Sequence, residues 1–233
     1  MTTLYVVATP IGNLKDITLR ALEVFKNTNV IVCEDTRVTR SLFSAHGIDA
    51  SLKTLISYHT HNKIVRTDRI IDHLREWNDV VFVSDAGTPG ISDPGAELVS
   101  VIRRELADEI SRGEIKIEAV PGPSALVAAL SVSGVPCANF TFLGFLPHKK
   151  GRETLFKEIS ASTRTCVFYE SPHRILKTLE SLDKHLKAKR VTICRELTKV
   201  FEEVVGGTAG DVLKFFNTHP DKVRGEFVVI VSE

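Results

Sequence analysis

Along its whole length the chain alternates short runs of β-branched and aromatic residues with amphipathic helical stretches. That rhythm restricts it to α/β architectures built on largely parallel sheets. In the first half, strands are expected at Leu4 to Thr9, Val30 to Asp35, Thr54 to Tyr58, Val80 to Ser84 and Ile115 to Val120. The clearest helical pattern between them runs from Ile64 to Trp77, with apolar residues at Ile64, Ile70, Ile71 and Leu74. The second half repeats the style, with strands at Phe140 to Phe145, Thr165 to Tyr169, Arg190 to Arg195, Phe201 to Val205 and Phe227 to Val231. Only a few residues split the runs 190–195 and 201–205, so that pair is expected to be antiparallel and the second sheet mixed. The boundary falls in "EAVPGPSA", residues 118–125, giving two α/β domains, 1–118 with a mostly parallel sheet and 119–233 with a mixed one.

Composition narrows the function classes. The 233 residues are 43% hydrophobic and 25% charged with a formal net charge of +1, so nucleic acid is not bound through bulk charge and any RNA contact needs a local patch. Cys33, Cys137, Cys166 and Cys194 show no CxxC spacing and three of them sit in apolar runs, the pattern of buried, reduced thiols. The start "LYVVATP" carries no basic segment, and no apolar stretch reaches membrane-spanning length, so the chain is expected to be cytoplasmic. His59 and His61 lack a third ligand at suitable spacing; no metal is expected.

Four loops follow strand ends: "TPIGNLKDIT" (9–18), "SDAGTPGISDPG" (84–95), "VPGPSA" (120–125) and "YESPHR" (169–174). Ligands of open α/β sheets bind beyond the carboxyl ends of strands. None of these loops is GxGxxG, and no GxxxxGK[ST] occurs, so a phosphate-anchored nucleotide is not indicated. Glycines let backbone approach a ligand closely, while Pro10, Pro89, Pro94, Pro121 and Pro123 stiffen the loops and remove donors. A flat, mostly uncharged ligand held by backbone groups fits that mixture.

Taken in order, "TPIGNLKDITLRALEVF", "CEDTRVTR", "SDAGTPGISDPG", "VPGPSAL", "FLGFLP", "YESPHRI", "RELTK", "GGT" and "GEFV" resemble the tetrapyrrole-methylase-type (class III) methyltransferases, and within them the ribosomal RNA small subunit methyltransferase I family. The resemblance spans nearly the whole chain. It implies two α/β domains with S-adenosyl-L-methionine in the cleft between them, a homodimer, and 2'-O-methylation of a cytidine ribose near the decoding site of 16S ribosomal RNA. It carries donor contacts to Pro10 and Ile11, to Gly87, Thr88, Pro89 and Ile91, to Ser124 and Ala125, to Tyr169 and Glu170, and to Leu197, Gly225 and Glu226. Small-molecule members commonly have Gly-Asp-Pro where this chain has Gly87-Thr88-Pro89, and a glycine-richer first loop; both departures point to the RNA branch. Longer relatives carry an extension beyond the last strand, and no RNA contact is carried over to it.

Methyl transfer to a ribose hydroxyl gains most from holding the reacting atoms in line, and from a base or cation beside the oxygen. Glu34, Asp35, Arg37, Glu170 and His173 are the catalytic candidates, and the same chemistry is open to Arg40 in "CEDTRVTR", Asp85 and Asp93 in the long loop, Arg174 in "YESPHR", and Arg195, Glu196 and Lys199 in "RELTK". Each has a plainer role: Asp93 before Pro94 reads as a turn or cap residue, Asp85 as an acceptor for its own loop, Asp35 as a helix cap, His173 and Arg174 as a helix start. For RNA, "PHKKGRETLFK" supplies Lys149, Lys150 and Arg152, and "CEDTRVTR" supplies Arg40. Two other functions fit the same loops: methylation of a tetrapyrrole, or a ribosome-associated module that binds a ligand without chemistry.

Overall fold

A computed structural model of the chain describes residues 1–58, 63–186 and 188–233. The chain divides into two compact units, Met1–Ser124 and Ala125–Glu233, each with a five-stranded sheet. The histidine pair His59 and His61 lies outside the described residues.

In the first unit β1 (Thr2–Val7), β2 (Val30–Cys33), β3 (Thr54–Ser57), β4 (Val80–Val83) and β5 (Ile115–Val120) lie in the order β3-β2-β4-β1-β5, every pairing parallel. The helices are α1 (Leu19–Asn27), α2 (Thr36–Ala45), α3 (Lys63–Arg75), α4 (Gly95–Glu105) and the short α5 (Ala107–Ser111). "VIVC" and "VVFV" are buried at every position, as interior strands of a sheet covered on both faces must be. Their side chains alternate: Val30, Val32, Val80 and Phe82 pack with Ile70 and Leu74 of α3 and Leu98 and Ile102 of α4. Ile31, Cys33, Val81 and Val83 pack instead with Ala21 and Phe25 of α1 and Leu42 and Phe43 of α2. The period of two thus sorts one apolar run into two cores.

In the second unit β6 (Phe140–Phe145), β7 (Thr165–Glu170), β8 (Arg190–Arg195), β9 (Glu203–Thr208) and β10 (Phe227–Ser232) lie in the order β6-β7-β10-β8-β9. Only β6 and β7 are parallel; β10 runs antiparallel to β7 and β8, and β8 to β9, so the sheet is mixed as expected. Helices α7 (Arg152–Ala161), α8 (Ile175–His185) and α9 (Ala209–Thr218) cover one face with Phe156, Ile159, Leu179, Leu182, Val212 and Phe216. α6 (Ala125–Val132) lies on the other, where the Cys194 thiol donates to the Ala129 carbonyl at 3.7 Å. A reciprocal cap starts α9: Thr208 Oγ1 accepts the Asp211 N–H, and the Asp211 carboxylate accepts the Thr208 N–H.

Three of the four thiols, Cys33, Cys166 and Cys194, are buried, whereas Cys137 in the β6 approach is exposed. Among the described residues no helix is long and apolar enough to cross a membrane, and no group of three His, Cys, Asp or Glu side chains is arranged to hold a metal.

Candidate functional site

In the first sheet the connection after β2 leaves toward β3 and the connection after β4 leaves the opposite way toward β5, so the strand order reverses between β2 and β4. Such a reversal opens a crevice at the carboxyl ends of the strands. Across it the two loops exchange backbone donors. The Asp35 N–H donates to Asp85 Oδ1 at 2.9 Å, and the Asp85 N–H donates to Glu34 Oε1 at 3.2 Å. Asp85 therefore serves the neighbouring strand's exit and not, as expected from sequence, its own loop.

The rim continues across β1 and β5. Thr9 and Gly87 exchange both backbone hydrogen bonds at 3.0 Å, and Thr9 Oγ1 donates to the Ser84 carbonyl at 3.2 Å. Thr88 Oγ1 donates to the Pro123 carbonyl at 2.9 Å, tying the β4 exit to the "PGP" turn. Gly87 has φ +82°, and a Cβ there would sit 3.3 Å from Ile11 and 3.7 Å from the Pro123 carbonyl. A side chain would close the notch at the meeting of three loops. Within the long loop, Asp93 accepts the N–H groups of both Gly90 and Gly95, the turn role read from its place before Pro94. Pro10, Ile11, Gly87 and Pro89 are buried, Thr88 and Ser124 half-buried and Ile91 exposed; Ser124 ends the turn and Ala125 opens α6.

The carboxylates of this rim differ in character. Burial, reinforced by the charges of Asp85 and Asp93, holds Glu34 above the usual carboxylate range against the pull of the Asp85 N–H. Asp35 is drawn down to about 2 by the side chain of Arg37 and then by its backbone N–H. Asp35 caps α2, and its partner Arg37 is largely exposed. Arg40, one turn further along α2, is exposed as well.

At the corresponding end of the second sheet, β7, β8 and the start of β10 meet, with Phe227 opposite Glu170 on one side and Arg195 on the other. Tyr169, Glu170, Leu197, Gly225 and Glu226 therefore come to one end of one sheet. The Tyr169 hydroxyl accepts the Leu126 N–H at 3.2 Å, and its ring meets Phe142 and Phe145 edge-on. Leu197 lies between two residues with left-handed backbone, Glu196 (φ 51°) and Thr198 (φ 67°). Glu196 Oε1 holds this bend by accepting the Glu226 N–H at 3.0 Å and Lys199 Nζ at 2.8 Å. A Cβ on Gly225 (φ +86°) would lie 2.2 Å from that carboxylate. Arg195 is buried and donates to the Arg224 and Phe201 carbonyls, so its guanidinium ties these loops together.

Two sequence-predicted side chains have internal partners. Glu170 is buried and accepts hydrogen bonds from the Ser171 N–H, Arg174 and Thr178, a geometry that favours an anchor over the proposed catalytic role. Arg152, expected on the RNA patch, is only 14% exposed in its side chain, donates to the Pro147 carbonyl and Thr178 Oγ1, and lies 5.0 Å over the Phe156 ring. Lys149 and Lys150 remain exposed, as do His148 and His173. Thr178, the hydroxyl that joins Glu170 to Arg152, carries no motif and had no sequence signal.

The family model for Tetrapyrrole (Corrin/Porphyrin) Methylases matches residues 3–213. The chain is 43% identical over 232 residues to the ribosomal RNA small subunit methyltransferase I of Hydrogenobaculum sp. (strain Y04AAS1), covering 99% of this chain and 95% of that one. It is 43% identical over 231 residues to the Escherichia coli O157:H7 protein of the same name, covering 98% and 77%. Among solved structures, diphthine synthase superposes with a TM-score of 0.71 at 14% identity, over 100% of this chain and 90% of that one. A uroporphyrin-III C-methyltransferase from Thermus thermophilus, solved with S-adenosylhomocysteine, gives 0.61 at 18% identity over 100% and 98%. The fold is thus that of the tetrapyrrole methyltransferases, and the chain belongs to the ribosomal RNA small subunit methyltransferase I family within them.

Proposed function

We propose that the chain transfers a methyl group from S-adenosylmethionine to the 2'-hydroxyl of a cytidine ribose in 16S ribosomal RNA, near the decoding site of the small subunit. Family membership supports the methyltransferase class and the ribosomal substrate. The observation that carries the site is the tied, acid-rimmed crevice of the first sheet. Its loops join through their own backbone groups, a left-handed glycine keeps a notch open, and Glu34 and Asp85 lend the rim negative charge, the Asp35 carboxylate being paired with Arg37. That charge suits a cationic ligand and opposes a phosphate-bearing one. When bound, S-adenosylmethionine supplies an electrophilic methyl carbon on a positively charged sulfur.

Pro10, Ile11, Gly87, Thr88, Pro89, Ile91, Ser124 and Ala125 would hold the donor here, and Tyr169, Leu197, Gly225 and Glu226 are proposed as further donor contacts. Glu34 is the proposed base: its raised pKa makes it a stronger proton acceptor than Asp35, which Arg37 holds at about 2. With the donor bound, the Glu34 carboxylate would accept the proton that the acceptor hydroxyl gives up. Lys149, Lys150 and Arg40, all exposed, would neutralise RNA phosphates. A homodimer is part of the proposal and would sediment as two chains.

The test is incubation with methyl-labelled donor and small subunits from a strain lacking this modification, followed by mapping of the labelled nucleotide. One methyl group on a cytidine ribose of 16S RNA is expected. Label on a base, or transfer to a tetrapyrrole and not to RNA, overturns the proposal. Glu34→Gln should lower turnover by about 10²–10⁴-fold while donor binding persists, the range for loss of a general base.

A further inference from the structure

Glu170 closes β7 with a side chain that is 0% exposed, and its partners form a connected set. Oε1 accepts the Ser171 N–H at 2.9 Å and Arg174 Nε at 3.0 Å. Oε2 accepts Thr178 Oγ1 at 2.7 Å and Arg174 Nη2 at 3.2 Å, with Arg152 Nη2 at 3.7 Å. Thr178 Oγ1 also accepts from Arg152 Nη2 at 2.6 Å. The two guanidiniums then reach the same short segment. Arg174 Nη2 donates to the Leu146 carbonyl at 2.6 Å, and Arg152 Nη1 to the Pro147 carbonyl at 3.1 Å. These are consecutive carbonyls at the exit of β6, and His148, Lys149 and Lys150 follow directly, all exposed. The segment closes as a turn in which the Arg152 N–H donates to the Lys149 carbonyl at 3.2 Å and Gly151 takes φ +82°.

We infer that Glu170, Arg152, Arg174 and Thr178 are positioning residues for RNA binding: they touch neither RNA nor donor, and fix the two-lysine turn by its root. The inference rests on the RNA reading of Lys149 and Lys150 made above, and reassigns Arg152 from phosphate contact to support. A buried ion network is weak support for stability, because well-packed apolar residues of the same volume often do as well. What this one adds is direction. Two planar forks hold two adjacent carbonyls, which sets where the following lysines point. Without them the turn would still carry its charge but present it over a wider range of positions.

The test compares parent, Thr178→Val, Arg152→Met and the double variant Lys149→Ala with Lys150→Ala. RNA affinity is measured over a range of salt, with donor affinity and melting temperature measured alongside. The double-lysine variant should flatten the slope of log affinity against log salt by about 0.7 to 0.9 for each phosphate left without its lysine. Thr178→Val removes no charge, so any flattening it produces arises from displaced lysines. We expect its slope to flatten by at least half as much as that of the double-lysine variant, with donor affinity within about twofold of the parent. Arg152→Met should match it, and trypsin should cut the folded Thr178→Val protein faster after Lys149 and Lys150. A lowered melting temperature with a parental slope in both variants overturns the inference and leaves the network a purely structural role. Flattening in Arg152→Met alone overturns it too, since the Arg152 guanidinium would then bind a phosphate directly. An unchanged slope in the double-lysine variant withdraws the RNA role of the turn itself. Should Thr178→Val fail to fold, the Arg152→Met slope, read beside Thr178→Ser with its hydroxyl kept and a parental slope expected, decides between the same outcomes.

Discussion

Glu34 and Asp35 are adjacent in sequence, yet the fold gives them opposite affinities for a proton. Asp35 points along α2 to Arg37, whereas Glu34 turns into the crevice toward the Asp85 N–H and the charges of Asp85 and Asp93. Because the folded state raises the Glu34 pKa, it binds that proton more tightly than the unfolded chain does. The stability this lends is fully present below the unfolded carboxylate value of about 4.3 and is lost as pH rises from there through the folded pKa. Glu34→Gln keeps an oxygen for the Asp85 N–H and removes the charge. It should raise the melting temperature at pH 8, and the gain should vanish near about pH 4. Equal melting temperatures at pH 8 would show that the crevice does not strain this carboxylate. Asp35 works the other way: its depressed pKa lends stability above about 3.9 that fades as pH falls toward about 2. At this scale the sequence displayed the acidic cluster but not its division of labour, since Asp35 takes the Arg37 amide two residues on while Glu34 takes the Asp85 amide 51 residues away.

Among the elements, the strands were the most legible, because fully apolar runs such as "VVFV" admit few other readings. Their ends were less so. β2 stops at Cys33, two residues before the expected Asp35, because Asp35 is needed as the cap of α2. β9 begins at Glu203 and not Phe201, since the Phe201 carbonyl receives Arg195, and it then continues through Gly206 and Gly207 to Thr208, past the expected end at Val205. An edge strand tolerates such glycines because only one neighbour has to pair with it. The loops showed their residue types in sequence, whereas the ties between them are long-range and left no local trace. Thr88→Val tests one of those ties, as it keeps the side-chain volume and deletes the hydrogen bond to Pro123. Loss of one such bond is worth about 1 kcal/mol, so donor affinity should weaken about fivefold with the fold retained. Isothermal titration with S-adenosylhomocysteine measures it, and parental affinity would mean the tie has no part in shaping the donor site.

For the whole molecule, a net charge of +1 conceals a segregated pattern, with carboxylates on the crevice of the first unit and exposed lysines on a turn of the second. Nine motifs in order made the family readable, and the comparisons bear that reading out. The ion network around Glu170 was not readable, because its four side chains are separated by up to 26 residues and meet only once α7, β7 and α8 have formed. The strand order of the first unit has a further consequence during synthesis. β1 leaves the ribosome before the other strands of its sheet, but its two neighbours are β4 and β5, so one edge stays unmatched until residue 83 has emerged and the other until residue 120. At about 5–20 residues per second the longer wait is roughly 6–23 s. β2 and β3 can pair with each other during that wait, while "TTLYVV" stays exposed to other chains and to chaperones. Nascent chains tethered through an arrest peptide should therefore develop their full folding force only once Val120 has cleared the exit tunnel, and equal force once Val83 alone has cleared it would show that β1 docks stably without β5.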